Sequence, residues 1–176
     1  MPVDAIVIET LTPEAASNAI PALVEILRDS VANGASVGFM AWNTPEDYRG
    51  FWTGVTDEVG AGRTVLLIAR LAGEIVGTAQ LQLIGKPNQP HRAEIAKVLV
   101  HSRARRRGIG EALMRAAEGA ALALGRDLLV LDTDEAGAAR RLYNRLGWTE
   151  LGTIPRYALM PDGADCGSTF FYKSLV

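Results

Sequence analysis

The chain predicts a mixed α/β sheet with helices on both faces, in the order β-α-α-β-β-β-α-β-α-β-β. Three observations carry this. Short apolar runs alternate with segments of helical periodicity, and several runs follow one another without a helix between them, as in a mixed, mostly antiparallel sheet. One of those runs, Ile95-Ala96-Lys97-Val98-Leu99-Val100, feeds a basic, glycine-containing turn. That turn opens a helix with Ile109, Ala112, Leu113, Ala116, Ala117, Ala120 and Leu124 at helical spacing. At 176 residues and 48% hydrophobic content, with no repeat, low-complexity tract or dividing linker, the chain builds one core. Residues 1–176 are read as a single domain.

Residues 3–9 alternate enough for an opening strand. Thr12-Pro13-Glu14 starts a helix over residues 13–31, with Pro21 as a candidate break and Asn33-Gly34 as its end. Thr44-Pro45-Glu46-Asp47 starts a second helix that lasts to residue 59. Residues 63–71 and 74–84 are β-rich runs around Ala72-Gly73, a hairpin. Residues 85–90 form a loop before the strand, turn and helix described above. Residues 127–132 are another apolar strand, residues 136–146 a helix stopped by Gly147, and residues 148–154 and 169–175 the last strands. A long loop is expected over residues 155–167, and Asp134 and Glu135 are expected to cap the helix that follows them.

The turn Arg105-Arg106-Arg107-Gly108-Ile109-Gly110 suits a pyrophosphate. Glycines let the backbone approach an anion, and the first helical N–H groups lack internal partners and carry partial positive charge. Arginines add forked, fully charged donors. No Gly-x-x-x-x-Gly-Lys-Ser/Thr and no Gly-x-Gly-x-x-Gly occurs, so neither a Mg-nucleotide loop nor a dinucleotide fingerprint is present. The pattern Arg-x-x-Gly-x-Gly resembles the acetyl-CoA pyrophosphate loop of the GNAT superfamily of N-acetyltransferases. The element order is also that of the GNAT fold. A second segment, Ala139-Arg140-Arg141-Leu142-Tyr143-Asn144-Arg145-Leu146-Gly147-Trp148, resembles the superfamily's Ala-x-x-x-Tyr-x-x-x-Gly-aromatic stretch. Patches at residues 34–41, 86–88, 92–94, 131–133 and 161–163 resemble the tabtoxin resistance branch of that superfamily.

The resemblance implies an acetyl-CoA-dependent enzyme acting on a primary amine of a small molecule, with an amino-acid-like β-lactam toxin or antibiotic as the branch's substrate. Alternatives are a protein amine acceptor, or a non-catalytic acyl-CoA sensor. It implies that Val98, Leu99 and Val100 pair with the pantetheine arm at a splayed strand. Arg105, Arg106, Arg107, Gly108, Ile109, Gly110 and Glu111 would then cradle the diphosphate. Glu111 is expected to turn outward toward Arg115. Tyr143 is implied as general acid toward the departing thiolate, the competing role being packing of a helix on the sheet. Glu94 and Asp132 are joint candidates for general base, directly or through water. Period two places Glu94, Ala96, Val98 and Val100 on one face. Either acid could instead pair with Arg92, Lys97 or Arg140. Phe39, Met40, Trp42, Arg156 and Tyr157 are candidates for the acceptor pocket. A homodimer is expected by analogy with the superfamily.

A net charge of −2 argues against general attraction to nucleic acid, and the arginine cluster is local. The single cysteine, Cys166, fits a reducing compartment and makes no internal disulfide. No metal-ligand spacing is present. No basic, apolar leader and no run near the ~20 apolar residues of a membrane span occurs, so a cytoplasmic location is expected.

Overall fold

The computed structural model describes residues 5–176. Seven strands form one sheet in the order β1-β2-β3-β4-β5-β7-β6. They are β1 (Val7–Thr10), β2 (Thr64–Leu71), β3 (Glu74–Leu83), β4 (Arg92–Val100), β5 (Leu128–Asp134), β6 (Thr149–Leu159) and β7 (Asp165–Ser174). All neighbours run antiparallel except β4 and β5. The helices are α1 (Pro13–Ala32), α2 (Pro45–Gly60), α3 (Ile109–Ala123) and α4 (Ala139–Arg145). The order of elements is the expected one. Residues 3 and 4 of the expected first strand lie outside the described residues, and its observed part begins at Val7.

The sheet separates two apolar layers. Leu66 and Ile68 of β2 pack with α1 and α2, while the alternate Leu67 and Ala69 pack with α3. This double burial explains why β2 reads as a continuous apolar run. Both long helices begin where cap residues predict. Thr12 Oγ1 accepts the N–H of Ala15, and Thr44 and Asp47 form a reciprocal capping box. Ala72 and Gly73 hold φ of 50° and 84°, the paired left-handed turn of a two-residue hairpin. At Gly77 the helix α3 comes so near β3 that a Cβ would meet Ile109 Cγ2 at 3.0 Å and Leu113 Cδ1 at 3.2 Å.

Four expectations are corrected. Pro21 does not split α1; it sits on the exposed side, where a helix curves outward and tolerates one missing bond. No long loop spans residues 155–167. β6 continues to Leu159, and a tight turn closed by Met160 N–H on the Ala164 carbonyl (2.8 Å) leads into β7. Pro155 is accommodated because β6 is the edge of the sheet. α4 begins only at Ala139, without a side-chain cap: Glu135 instead accepts the N–H of Gly167 at 3.2 Å. Finally, the period of two along β4 is broken. Gln80 pairs with Ala96 and Thr78 with Leu99, so Lys97 and Val98 together face Ala79. This bulge, with Lys97 at φ 52°, shifts the parity of everything after it. Val98 and Val100 therefore share the α3 face with Ala93 and Ile95, and Leu99 packs toward α1 and α2.

Candidate active site

The bulge lies where the sheet opens. β4 and β5 pair only at Arg92–Leu128, Ala93–Leu129 and Glu94–Val130, although β4 runs on to Val100 and β5 to Asp134. A bulge bends and twists its strand, and β4 leans away from β5 beyond Glu94. The result is a wedge-shaped cleft of about 830 Å³ at the centre of the sheet. Ala96, Lys97, Val98, Leu99 and Val100 form one wall, and Asp132, Thr133, Asp134, Leu142 and Tyr143 the other. The β4 edge that would have bonded β5 is left for a guest.

The basic turn closes one end of the cleft. After Val100 the chain makes a short 3₁₀ turn at Ser102–Ala104 and enters α3 through Gly108, at φ 81°. No side chain caps α3. Its first N–H groups stand beside the cleft, which Gly108, Ile109, Gly110 and Glu111 help to line. Arg106, at φ 63°, lines it as well. Arg105 lines it too, yet its Nε donates to the Val100 carbonyl at 3.1 Å, so part of its donor set braces the turn. Arg107 is not among the lining residues. Glu111 leans outward and accepts from Arg115 Nε at 3.0 Å, as expected for an acid beside an anion seat.

A carboxylate from α1 anchors this turn. Asp29 accepts the Ser102 hydroxyl at 2.6 Å and the Ser102 N–H at 2.7 Å. Burial alone would raise its pKa. The two bonds from Ser102, with His101 and Arg105 nearby, outweigh burial and hold it below the usual carboxylate range. Stability from this tie is therefore present above the unfolded carboxylate value and lost as pH falls through the lower folded one. Sequence reasoning missed Asp29, because nothing local links it to a turn more than seventy residues away.

At the other wall, Tyr143 packs among Phe171 and Trp148, with ring centroids 5.5 and 6.2 Å away, and still borders the cleft. Burial, and then the charges of Asp132 and Asp134, push its phenol far above the ordinary value. It is a neutral donor throughout the physiological range. Asp132 lies on the β5 face away from α3, opens to the cleft and accepts the Ser168 hydroxyl at 2.6 Å. Glu94 is on the same sheet face, across from Val130, but it does not line the cleft. Arg92 holds its carboxylate at 2.7 Å, the ion pair that was the competing role. The two acids are thus brought to one face, and only Asp132 meets Tyr143 at the cleft.

The sequence offers Lys97 only as a structural ion-pair partner, and the structure places it differently. It lines the cleft, with Nζ 5.3 Å from the Phe51 ring centroid and beside Gly38. Burial pushes its ammonium down, and Asp132 partly offsets this. The available signal was a lone cation interrupting an apolar strand.

Two joined segments bound the far end of the cleft. Ser36 Oγ donates to the Leu159 carbonyl at 2.8 Å, and Ala41 N–H donates to the Pro161 carbonyl at 2.9 Å. The segment after α1 is thereby tied to the β6–β7 hairpin. Met40 and Tyr157 sit in these two segments, and Tyr157 lines the cleft. Phe39 packs on Tyr48 and Phe51 instead, and neither Trp42 nor Arg156 is a lining residue. Among the described residues no cluster of metal-ligating side chains occurs, and no helix is long and apolar enough to cross a membrane.

Comparison with known proteins gives one consistent picture. The model of the acetyltransferase (GNAT) family matches residues 22–148. Among solved structures, ribosomal-protein-alanine N-acetyltransferase from Brucella melitensis is 26% identical, with a TM-score of 0.79 over 96% of this chain and 99% of that one. A GNAT superfamily phosphinothricin acetyltransferase from Sinorhizobium meliloti, in complex with acetyl-CoA, is 20% identical, with a TM-score of 0.79 over 97% and 88%. The protein yncA from Salmonella typhimurium, solved with its cofactor acetyl-CoA, is 19% identical, with a TM-score of 0.78 over 98% and 95%.

Proposed function

Because the chain belongs to the GNAT acetyltransferase family, and so is an acetyl-CoA-dependent N-acetyltransferase, we propose that it acetylates the primary amine of a small molecule. An amino-acid-like β-lactam is the acceptor we favour, as in the tabtoxin resistance branch, which gives the protein a role in toxin or antibiotic resistance. The observation that carries the small acceptor is the tie between the two segments at that end of the cleft. Two hydrogen bonds tie residues 36 and 41 to the β6–β7 hairpin, and these joined segments bound the acceptor end, which suits a compact molecule better than a protruding polypeptide. A cytoplasmic setting completes the proposal, since Cys166 is a free thiol.

The cleft fits acetyl-CoA on its own features. Uncapped N–H groups of α3, with Arg106 and the glycines 108 and 110, suit the diphosphate. The unpaired edge of β4 from residue 95 to Val100 suits the amide-bearing pantetheine arm, through Val98, Leu99 and Val100. When bound, acetyl-CoA supplies an activated acyl group whose carbon accepts the amine nitrogen.

The remaining work falls to side chains. Asp132 draws a cationic amine by charge and takes a proton from it, directly or through water, which frees the nitrogen lone pair that then bonds the acyl carbon. Ser168 holds one Asp132 oxygen at 2.6 Å and fixes its orientation. Glu94, the other candidate base, lies on the same face but is engaged by Arg92 outside the cleft, so Asp132 is the base of this reading. Tyr143 donates a hydrogen bond to the sulfur as negative charge builds there. Full transfer is uphill, since burial raises the phenol further above a thiol's pKa of about 8.5. Tyr143→Phe should lower kcat about tenfold, the size of one charge-assisted hydrogen bond, while acetyl-CoA affinity measured by calorimetry stays within about twofold. Unchanged kcat would leave Tyr143 as a packing residue only.

The function itself is tested by release of free CoA from acetyl-CoA with a panel of small amines, amino-acid-like β-lactams and peptides with free N-termini. Turnover confined to peptides would replace the small-molecule acceptor with a protein one.

We also propose a homodimer. β6 is an edge strand with its backbone unpaired on one side, and Leu151, Ile154 and Leu159 are 65%, 48% and 47% exposed. An apolar edge of this length calls for a partner. Light scattering should give twice the chain mass, and Ile154→Lys should halve it; a monomeric wild type would refute this.

A further inference from the structure

We infer that Lys97 is the acceptor-recognition residue of this cleft, binding a carboxylate carried by the same small molecule whose amine is acetylated. The inference rests on the small-amine acetylation proposed above and narrows its substrate class to amino acids and amino-acid-like compounds.

Four features of the site lead here. Lys97 is the bulged residue of β4 and holds φ 52°, a conformation that a long side chain adopts at some cost and that glycine or asparagine would take more easily. Backbone strain of this kind clusters at functional sites. Second, the bulge turns Lys97 toward Gly38 and Phe51, at the acceptor end of the cleft, rather than into the α3 core that Val98 and Val100 join. Third, among the described residues no carboxylate lies within 4.0 Å of its Nζ, and no hydrogen-bond acceptor is in reach. Its neighbour is the face of the Phe51 ring, which steadies a cation without occupying its N–H donors. Three donors thus remain for a guest. Fourth, Asp132 borders the same cleft and is not ion-paired to Lys97. A cation and an anion held apart on facing walls match a zwitterion, with the ammonium toward Asp132 and the carboxylate toward Lys97. Burial, which lowers the Lys97 pKa, adds to this, because a bound carboxylate restores the charged form that burial disfavours.

The test uses matched acceptor pairs: an amino acid and its decarboxylated amine, and an amino-acid-like β-lactam and its methyl ester. Each is assayed for kcat/KM with the full-length enzyme and saturating acetyl-CoA. Wild type should prefer the carboxylate member by about tenfold or more, the worth of a charge-assisted hydrogen bond in a partly buried site. In Lys97→Met the preference should collapse toward one, and Lys97→Arg should restore part of it. Binding of the N-acetylated amino acid to the CoA-loaded enzyme, followed by calorimetry, should weaken in parallel in Lys97→Met. An acetyl-CoA-induced rise in melting temperature equal to wild type shows that this variant is folded. If the decarboxylated amine and the ester are acetylated as well as their partners, acetyl transfer to a small amine stands and the role of Lys97 falls. A preference that survives in Lys97→Met has the same meaning. If no member of any pair is acetylated while acetyl-CoA still binds, the small-amine acceptor itself falls and takes this assignment with it.

Discussion

Asp132→Asn should lower kcat/KM for the amine about 10²- to 10³-fold, within the range of a lost general base, while acetyl-CoA binding stays near wild type. The asparagine keeps the shape and can still accept from Ser168, so the fold is undisturbed. What disappears is the charge that draws the ammonium and receives its proton. Steady-state kinetics across pH separates the two losses. A missing base is relieved as pH rises and more acceptor arrives already neutral, so the gap to wild type should narrow at high pH. A gap that stays constant from pH 6 to pH 10 would mean that Asp132 only shapes the site. Glu94→Gln provides the contrast. Its carboxylate is engaged by Arg92 outside the cleft, and the expected loss is several-fold at most.

Gly108→Asp should weaken acetyl-CoA binding about a hundredfold. Gly108 is the N-cap of α3, at φ 81°, and no side chain meets the first N–H groups. An aspartate there sets a negative charge next to the diphosphate seat. One unit charge about 5 Å from another at an effective dielectric near 20 contributes about 3 kcal/mol, which is about two decades in Kd. Gly108→Asn is the control. Asparagine tolerates the left-handed region and carries no charge, so its loss should stay near the backbone cost of about 1 kcal/mol. Calorimetry with acetyl-CoA reads both. Equal affinities for the aspartate and asparagine variants would place the diphosphate elsewhere.

Much of the architecture was legible because it is local. Caps at Thr12 and Thr44, the Ala72-Gly73 turn and the two-faced apolar run of β2 each follow from a few neighbouring residues. The basic turn was legible for the same reason: strand, glycines and helix are contiguous. What sequence could not show depends on pairing. The bulge at Lys97 exists only in relation to Ala79 across the ladder, so alternation along β4 misplaced Val98 and Val100 relative to Glu94. The second half of β6 escaped because an exposed edge strand has no buried face to impose alternation. Asp29 and the tie between Ser36 and Leu159 join distant segments and leave no local trace.

The tight seat of α3 on Gly77 has a consequence for engineering. Replacing glycine by alanine is a standard route to thermostability, and several positions here invite it. Gly50 and Gly54 in α2 and Gly119 in α3 would present a methyl group to open space, each worth up to about 1 kcal/mol. Gly77 is different. A methyl there must displace Ile109 and Leu113, and Ile109 begins the helix whose amides face the cleft. A more heat-resistant variant made by wholesale glycine replacement would therefore trade away cofactor affinity at Gly77, as at Gly108 and Gly110 beside the cleft, so a useful library leaves these untouched.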